Sequence, residues 1–296
     1  MERDNKNTQA FRKDRNAEEI RKFAHLLRTE EHAEQTIRKY MHELEQYQVF
    51  LGERESGKET LLAYRVLLSK TLKPQTVNGK LCAINAYFRL TGRAADCVKL
   101  LRVQHSSFVE ESKLLHQNDY NRLIAAARES GNERLALLIQ TIEETGIRIS
   151  ELSYITLQAV QNKEARIALK GKCRVVILTD KLCQSLRQYA DTRHISTGSI
   201  FISRTGKPLN RSNIWRDMKK LCEKAQIAPE KVFPHSLRHL FARRFYAANK
   251  DLAYLADILG HSSVNTTRIY TAISTEQHRR MLERMQCQNE NPAGEY

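Results

Sequence analysis

Three short segments hold residues whose types and spacing can do chemistry together. They are Thr145-Gly146-Ile147-Arg148-Ile149-Ser150-Glu151-Leu152, Phe233-Pro234-His235-Ser236-Leu237-Arg238-His239, and Leu259-Gly260-His261-Ser262-Ser263, the last leading through Thr266 and Thr267 to Ile269-Tyr270-Thr271. Transesterification at a phosphodiester needs such a set. It requires a nucleophile, cations that neutralise the phosphate as it becomes five-coordinate, and a proton donor for the leaving oxygen. A guanidinium fork matches two non-bridging phosphate oxygens better than an ammonium does, and Arg148 and Arg238 supply two forks. His235 and Arg238 stand three apart just after Pro234, a helix-opening residue. They therefore point the same way near a helix N-terminus, where phosphate is favoured. Taken singly, each residue has a plainer role. Arg148 can pair with Glu151 along a helix, His261 can cap a helix after Gly260, and Tyr270 is one of 11 tyrosines.

In order and spacing, residues 113–296 resemble the tyrosine recombinases, also called the phage integrase family, whose pattern runs Arg…Lys…His-x-x-Arg…His…Tyr. The Leu-Gly-His triplet, the nine residues from His261 to Tyr270 and the Pro-x-x-Leu-Arg-His run carry the likeness. The resemblance implies a site-specific DNA recombinase that cuts and rejoins strands through a 3′-phosphotyrosyl intermediate. Tyr270 would be the nucleophile, freeing a 5′ hydroxyl. Arg148, Arg238 and His261 would hold the phosphoryl oxygens, His235 would assist proton transfer from the tyrosine, and Glu151 would orient Arg148. Because the phosphotyrosine keeps the bond energy, a partner strand can reverse the step without ATP, and no metal ion is called for.

A hairpin lysine serves the family as general acid to the 5′ oxygen, within a pattern like K-G-x-x-x-R-x-x-P-L. Here Lys170-Gly171-Lys172-Cys173-Arg174-Val175-Val176-Ile177-Leu178 is one residue shorter and has Ile177 where Pro is usual. Lys170 matches by the Gly that follows it, and Lys172 is the alternative general acid. Ala272 stands where many relatives carry His, and Leu240 where Thr is common. Two other readings share these residues: type IB topoisomerase-like relaxation of DNA, and a catalytically silent DNA-binding protein of the same fold. The five intact residues Arg148, His235, Arg238, His261 and Tyr270 weigh against the silent protein.

The elements that must position these residues predict a mainly α fold with a small antiparallel β-sheet (α+β), in two domains. Residues 17–104 read as four or five helices, and the resemblance implies that they form the helical core-binding, DNA-clamping domain. In 34–51, Ile37, Tyr40, Met41, Leu44, Tyr47 and Leu51 recur at helical spacing, and 75–90 does the same with Val77, Leu81, Ile84 and Phe88, entered through Pro74. Residues 104–115 lose periodicity and read as the linker. The catalytic domain, 113–296, opens with Asn118 as the N-cap of a helix to about Glu129. Strands 165–169 and 174–178 flank a turn, Lys170-Gly171-Lys172-Cys173. A helix over 181–190, a short strand at 200–203, helices over 210–225, 235–248, 251–258 and 263–270, and a tail helix over 276–287 complete it.

Composition bounds the rest. The chain of 296 residues carries 49 Lys+Arg against 34 Asp+Glu, a formal +15. Residues 1–110 hold 20 against 15 and residues 111–296 hold 29 against 19, so both parts are basic, as two lobes sharing a polyanion would be. No run approaches the ~20 apolar residues of a membrane span, and the opening residues lack an apolar signal core. The expectation is a soluble cytoplasmic protein of bacterial, phage or mobile-element origin. Six scattered cysteines without a CxxC pair argue against a disulfide framework or a zinc site. No Gly-rich nucleotide loop occurs, so no cofactor is expected. By resemblance the partners are double-stranded DNA bearing a specific recombination site, three further copies in a tetramer joined by exchange of the C-terminal tail, and accessory proteins. The N-terminal part is too short for a further arm-type DNA-binding domain. Lys73, Lys80 and Lys207 are candidate phosphate contacts.

Overall fold

The computed structural model describes residues 17–103, 111–169, 172–203, 205–261 and 263–270, with Arg279 and Glu283. These residues fall into two units, one within 1–105 and the other within 106–296.

The first unit is helical: α1 over 17–29, α2 (Glu34–Leu51), α3 (Lys58–Ser69) and α4 (Pro74–Leu90). Pro74 takes the first position of α4, where its missing N–H leaves nothing unpaired. The stripes read from the sequence become one core. Ile37, Leu44, Tyr47 and Leu51 from α2 and Val77, Leu81, Ile84 and Phe88 from α4 share it with Phe23, Leu27 and Leu61. Each such side chain contributes about 1.5–3 kcal/mol by leaving water. Tyr40 and Met41 of the same stripe sit only partly buried at its margin. Lys80 Nζ pairs with Glu43 Oε2 at 2.5 Å, so its charge is engaged between α2 and α4.

The second unit runs α5 (Gln117–Glu129), α6 (Glu133–Thr145), α7 (Leu157–Asn162), β1 (Glu164–Leu169), β2 (Lys172–Ile177), α8 (Asp180–Thr192), α9 (Arg211–Lys224), α10 (Pro234–Asn249), α11 (Leu252–Leu259) and α12 (Val264–Thr267). Tight 3-10 turns follow at Ile149–Tyr154 and Arg268–Tyr270. Helix α6 is its spine and packs against α5, α8 and α10. Every residue of α6 from Leu135 to Glu143 is buried. Leu135, Leu138, Ile139 and Ile142 recur at helical spacing along it, a stripe absent from the helices expected above.

Several expectations are corrected here. Helix α5 starts at Gln117, one residue before the expected Asn118 cap; His116 is the cap, and its N–H donates to Asp119 Oδ2 at 3.1 Å. The hairpin pairs Leu169 directly with Lys172, so the link is two residues long, and Lys172 and Cys173 belong to β2. No strand forms over 200–203: Ile202 makes one isolated bridge to Pro208, and the apolar signal came from burial of Ile200 and Phe201. The helix expected over 263–270 changes to 3-10 geometry at Arg268. The tail helix over 276–287 lies outside the described residues except for Arg279 and Glu283.

Candidate active site

Helix α6 ends at Thr145, and Gly146 beyond it takes the left-handed conformation with φ 63°. A side chain has no room there, since a Cβ would lie 2.5 Å from the Phe241 ring. The turn delivers Arg148 to the head of a 3-10 turn, where Glu151 clasps it twice. The Arg148 N–H donates to Glu151 Oε2 at 2.9 Å, and its Nη1 donates to Oε1 at 3.0 Å. Arg174 on β2 approaches the same carboxylate from another side, its Nη2 donating to Oε2 at 2.6 Å. Burial by itself would raise the Glu151 carboxyl, but the Arg148 amide and the two guanidiniums hold it below the usual carboxylate range.

Helix α10 opens with Pro234, and the Ser236 hydroxyl accepts from the Phe233 N–H at 3.1 Å. That start puts His235 on the first turn and Arg238 one turn further in, 1% exposed. Arg238 Nη1 donates to the Gly146 carbonyl, and its Nη2 donates to the Leu259 carbonyl at 2.6 Å. Those carbonyls terminate α6 and α11, where the helix dipoles are negative. Its Nε is buried with no partner among the described residues. Burial, and then the charge of Arg148, push the Arg238 guanidinium down to about 10, with Tyr270 opposing.

Helix α11 ends on Gly260, also left-handed at φ 63°, and the next residue is His261. Arg238 Nη2 lies 3.1 Å from His261 Nε2. A guanidinium has no acceptor, so Nε2 accepts; the ring proton is on Nδ1, which donates to Thr267 Oγ1 at 2.8 Å. Burial, and then Arg238, push the His261 imidazole down to about 4. Tyr270, 4% exposed, stacks on His261 with centroids 6.0 Å apart. Its other neighbour is His239, edge-on at 4.8 Å, whose ring lies 5.4 Å from that of His235. Burial, and then His235, push His239 down to about 4 as well. His235 itself is lowered, by burial and then by Arg238.

A cleft of about 820 Å³ opens over this cluster, lined by Arg148, Arg211, Trp215, Phe233, His235 and Arg238 among others. Its lining carries three arginines and the half-exposed Trp215, a combination suited to a phosphodiester beside a planar ring. Arg148, Glu151, His235, Arg238, His261 and Tyr270 are thus brought into one cluster. Lys170 lies outside the described residues, and Lys172 is described only as backbone in β2. Sequence reasoning missed Arg174, His239, Thr267, Arg211 and Trp215. Arg174 and His239 stand inside the matched motifs, but nothing in the sequence assigned them a partner. Thr267 lies within the third segment, while Arg211 and Trp215 become neighbours of the cluster only on folding.

The sequence model of the phage integrase family matches residues 113–277, more than half of the chain, and the chain belongs to that family. It is of the Xer-like tyrosine recombinase type. It is similar to tyrosine recombinase XerA of Pyrococcus furiosus, 25% identical over 276 residues that cover 90% of this chain and 94% of the relative. It is also similar to tyrosine recombinase XerD of Staphylococcus saprophyticus, 34% identical over 153 residues, 49% of this chain and 52% of the relative. Among solved structures, XerH site-specific recombinase bound to difH substrate shares the fold with a TM-score of 0.63 at 21% identity, over 80% of this chain and 76% of that one.

Proposed function

We propose that this protein is a site-specific recombinase that cuts and rejoins double-stranded DNA, with Tyr270 as the nucleophile and a 3′-phosphotyrosyl link as the intermediate. The observation that carries the proposal is the Arg148–Arg238 pair under one cleft, with Tyr270 packed one ring away from His261. The two guanidiniums neutralise the non-bridging oxygens as the phosphorus becomes five-coordinate. His261 orients Arg238 by accepting from it, and with the two arginines it holds the phosphoryl oxygens. His235 assists proton transfer from the tyrosine, with His239 between its ring and that of Tyr270. The depressed basicity of His235 leaves its ring neutral and able to accept at neutral pH. Lys170, with Lys172 as the alternative, protonates the 5′ oxygen as it leaves. Glu151 holds Arg148 in place. The helical first unit grips the same duplex, phosphate contacts making the affinity sensitive to salt. A homotetramer on DNA, joined by the C-terminal tails and helped by accessory proteins, couples the cuts in the cytoplasm of a bacterial or mobile-element host.

The test uses duplexes nicked near the scissile position, drawn from inverted repeats beside the encoding gene. Wild type traps a covalent protein–DNA band on a denaturing gel, whereas Tyr270→Phe binds the same duplex and gives none. A band of equal intensity from both proteins overturns the assignment of Tyr270.

A further inference from the structure

Arg174 is the one charged side chain of the cluster that neither lines the cleft nor sits in the three segments that carry the chemistry. It projects from β2, is 11% exposed, and its guanidinium fork runs from Glu151 in the first segment to the Ile258 carbonyl just before the third. Nη2 donates to Glu151 Oε2 at 2.6 Å, and Nη1 donates to the Ile258 carbonyl near the end of α11. The stem fills the space that Gly260 leaves: a Cβ on Gly260 would stand 2.5 Å from Arg174 Cδ. Its Nε is buried without a partner among the described residues, so the fork is held by its two ends. Burial, with Glu151 opposing, lowers the guanidinium's own pKa, a cost accepted only where the contacts repay it.

We infer that Arg174 is a positioning residue for the strand-cleavage step. Through Glu151 it sets the rotamer of Arg148, and through the Ile258 carbonyl and the Gly260 turn it sets the height of His261, so that the cleft is shaped before DNA arrives. It touches no reacting atom. A single buried carboxylate clasped by two guanidiniums has one arrangement in which both forks are satisfied, and that arrangement points the remaining Arg148 nitrogens into the cleft. Remove Arg174 and Glu151 has a single cation left. Its carboxyl then rises toward the range that burial alone would give, and when it protonates it releases Arg148.

The inference deepens the proposed function and rests on it, so the experiment carries two readouts. The first is the rate of covalent complex formation on the nicked duplex for wild type, Arg174→Gln, Arg174→Lys, Glu151→Gln and the Arg174→Gln/Glu151→Gln double variant, at pH 5.5 to 8.5. Arg174→Gln is expected to slow cleavage about 10–100-fold with duplex affinity unchanged. It is also expected to add a second acid limb to the pH profile, from Glu151, beside the one that protonation of His235 gives wild type. Arg174→Lys, which keeps the charge on Glu151 but cannot also reach the Ile258 carbonyl, should remove the second acid limb and recover only part of the rate. In the Glu151→Gln background the Arg174 change should cost less than threefold more.

The second readout is inorganic phosphate binding followed by fluorescence of Trp215, the only tryptophan, on the cleft wall. Arg174→Gln should weaken it about tenfold. If wild type forms no covalent complex yet Arg174→Gln weakens phosphate binding, the proposed function fails and the positioning role stands. If Arg174→Gln matches wild type in phosphate binding, or its cost multiplies with that of Glu151→Gln, the positioning role is wrong.

Discussion

Removing either Arg148 or Arg238 should abolish cleavage to a similar degree while costing very different amounts of stability. Arg238 is 1% exposed and ties the carbonyl ends of α6 and α11 together. Each charge-assisted bond to a buried carbonyl is worth roughly 1.5–3 kcal/mol, so Arg238→Ala forfeits about 3–6 kcal/mol of contacts. Deleting the buried guanidinium also deletes its desolvation cost, which leaves a net loss on the order of 2–4 kcal/mol. Arg148 is different: its side chain is 35% exposed, and Glu151, its partner, retains Arg174 and the Arg148 backbone amide. Arg148→Ala should cost about 1 kcal/mol. For a unit of this size each kcal/mol shifts the melting point by ~2–4 °C, so the expected drops are on the order of 10 °C for Arg238→Ala and ~3 °C for Arg148→Ala. Trp215 lies in the second unit, so its emission on heating reports that unit alone. Covalent complex formation, measured well below either melting point, should fall about 10²-fold or more in both variants. The reasoning is refuted if Arg238→Ala melts within ~3 °C of wild type, or if Arg148→Ala melts as low as Arg238→Ala.

Three further outcomes are expected. Lys170→Ala should slow cleavage about 10²-fold or more, whereas Lys172→Ala, altering a residue paired within β2, should stay within about threefold; the reverse order on the nicked duplex exchanges the two roles. His239 and His261 hold folded pKa values near 4, below the unfolded 6.5, so the unfolded chain takes up protons first as pH falls. Stability is therefore fully present above pH 6.5 and is lost between 6.5 and 4. The Trp215 melting point should drop from pH 7 to pH 5, and drop less in His239→Gln; an equal drop in both removes His239 as a cause. In the first unit, Asn85 Nδ2 donates to the Val98 carbonyl at 2.9 Å and its Oδ1 accepts from the Val98 N–H at 3.0 Å, all buried. Asn85→Ala orphans both backbone groups and should destabilise that unit by about 2–3 kcal/mol in urea, followed by far-UV circular dichroism.

The parts of the molecule that were legible in the sequence are those where one residue type answers one local demand. The α2 and α4 stripes were readable because each helix buries a single face, and α10 because Pro234 marks its start. Helix α6 was readable from Leu135, Leu138, Ile139 and Ile142 at helical spacing but was passed over, and the 200–203 strand was misread because its residues make only an isolated bridge, not a ladder. In the cluster, the pairing of Arg148 with Glu151 at i and i+3 was a local possibility that the fold adopts. Arg174 reaches Glu151 across 23 positions, and Trp215 meets the cleft from α9; distances of that kind exist only after the elements pack.

One device recurs at the two glycines, and it explains why the motifs are spaced as they are. Gly146 and Gly260 each end a helix in the left-handed conformation with φ 63°, and each is pressed by a side chain, Phe241 in one case and Arg174 in the other. A non-glycine residue would add backbone strain of roughly 1–2 kcal/mol to that collision, so both positions are doubly closed to a Cβ. Each turn releases the chain directly beside the cluster, toward Arg148 two residues later and His261 one residue later. It also leaves a helix-terminal carbonyl unpaired and facing inward, Gly146 in one case and Leu259 in the other, and Arg238 takes both. The Thr-Gly-Ile-Arg and Leu-Gly-His signatures are thus one arrangement used twice, a helix end that presents a side chain outward and a carbonyl inward. Arg238 lies where the two inward carbonyls converge. Its position near the start of α10 follows, because only a residue one turn into a helix opened by Pro234 can reach both ends while leaving His235 in the cleft.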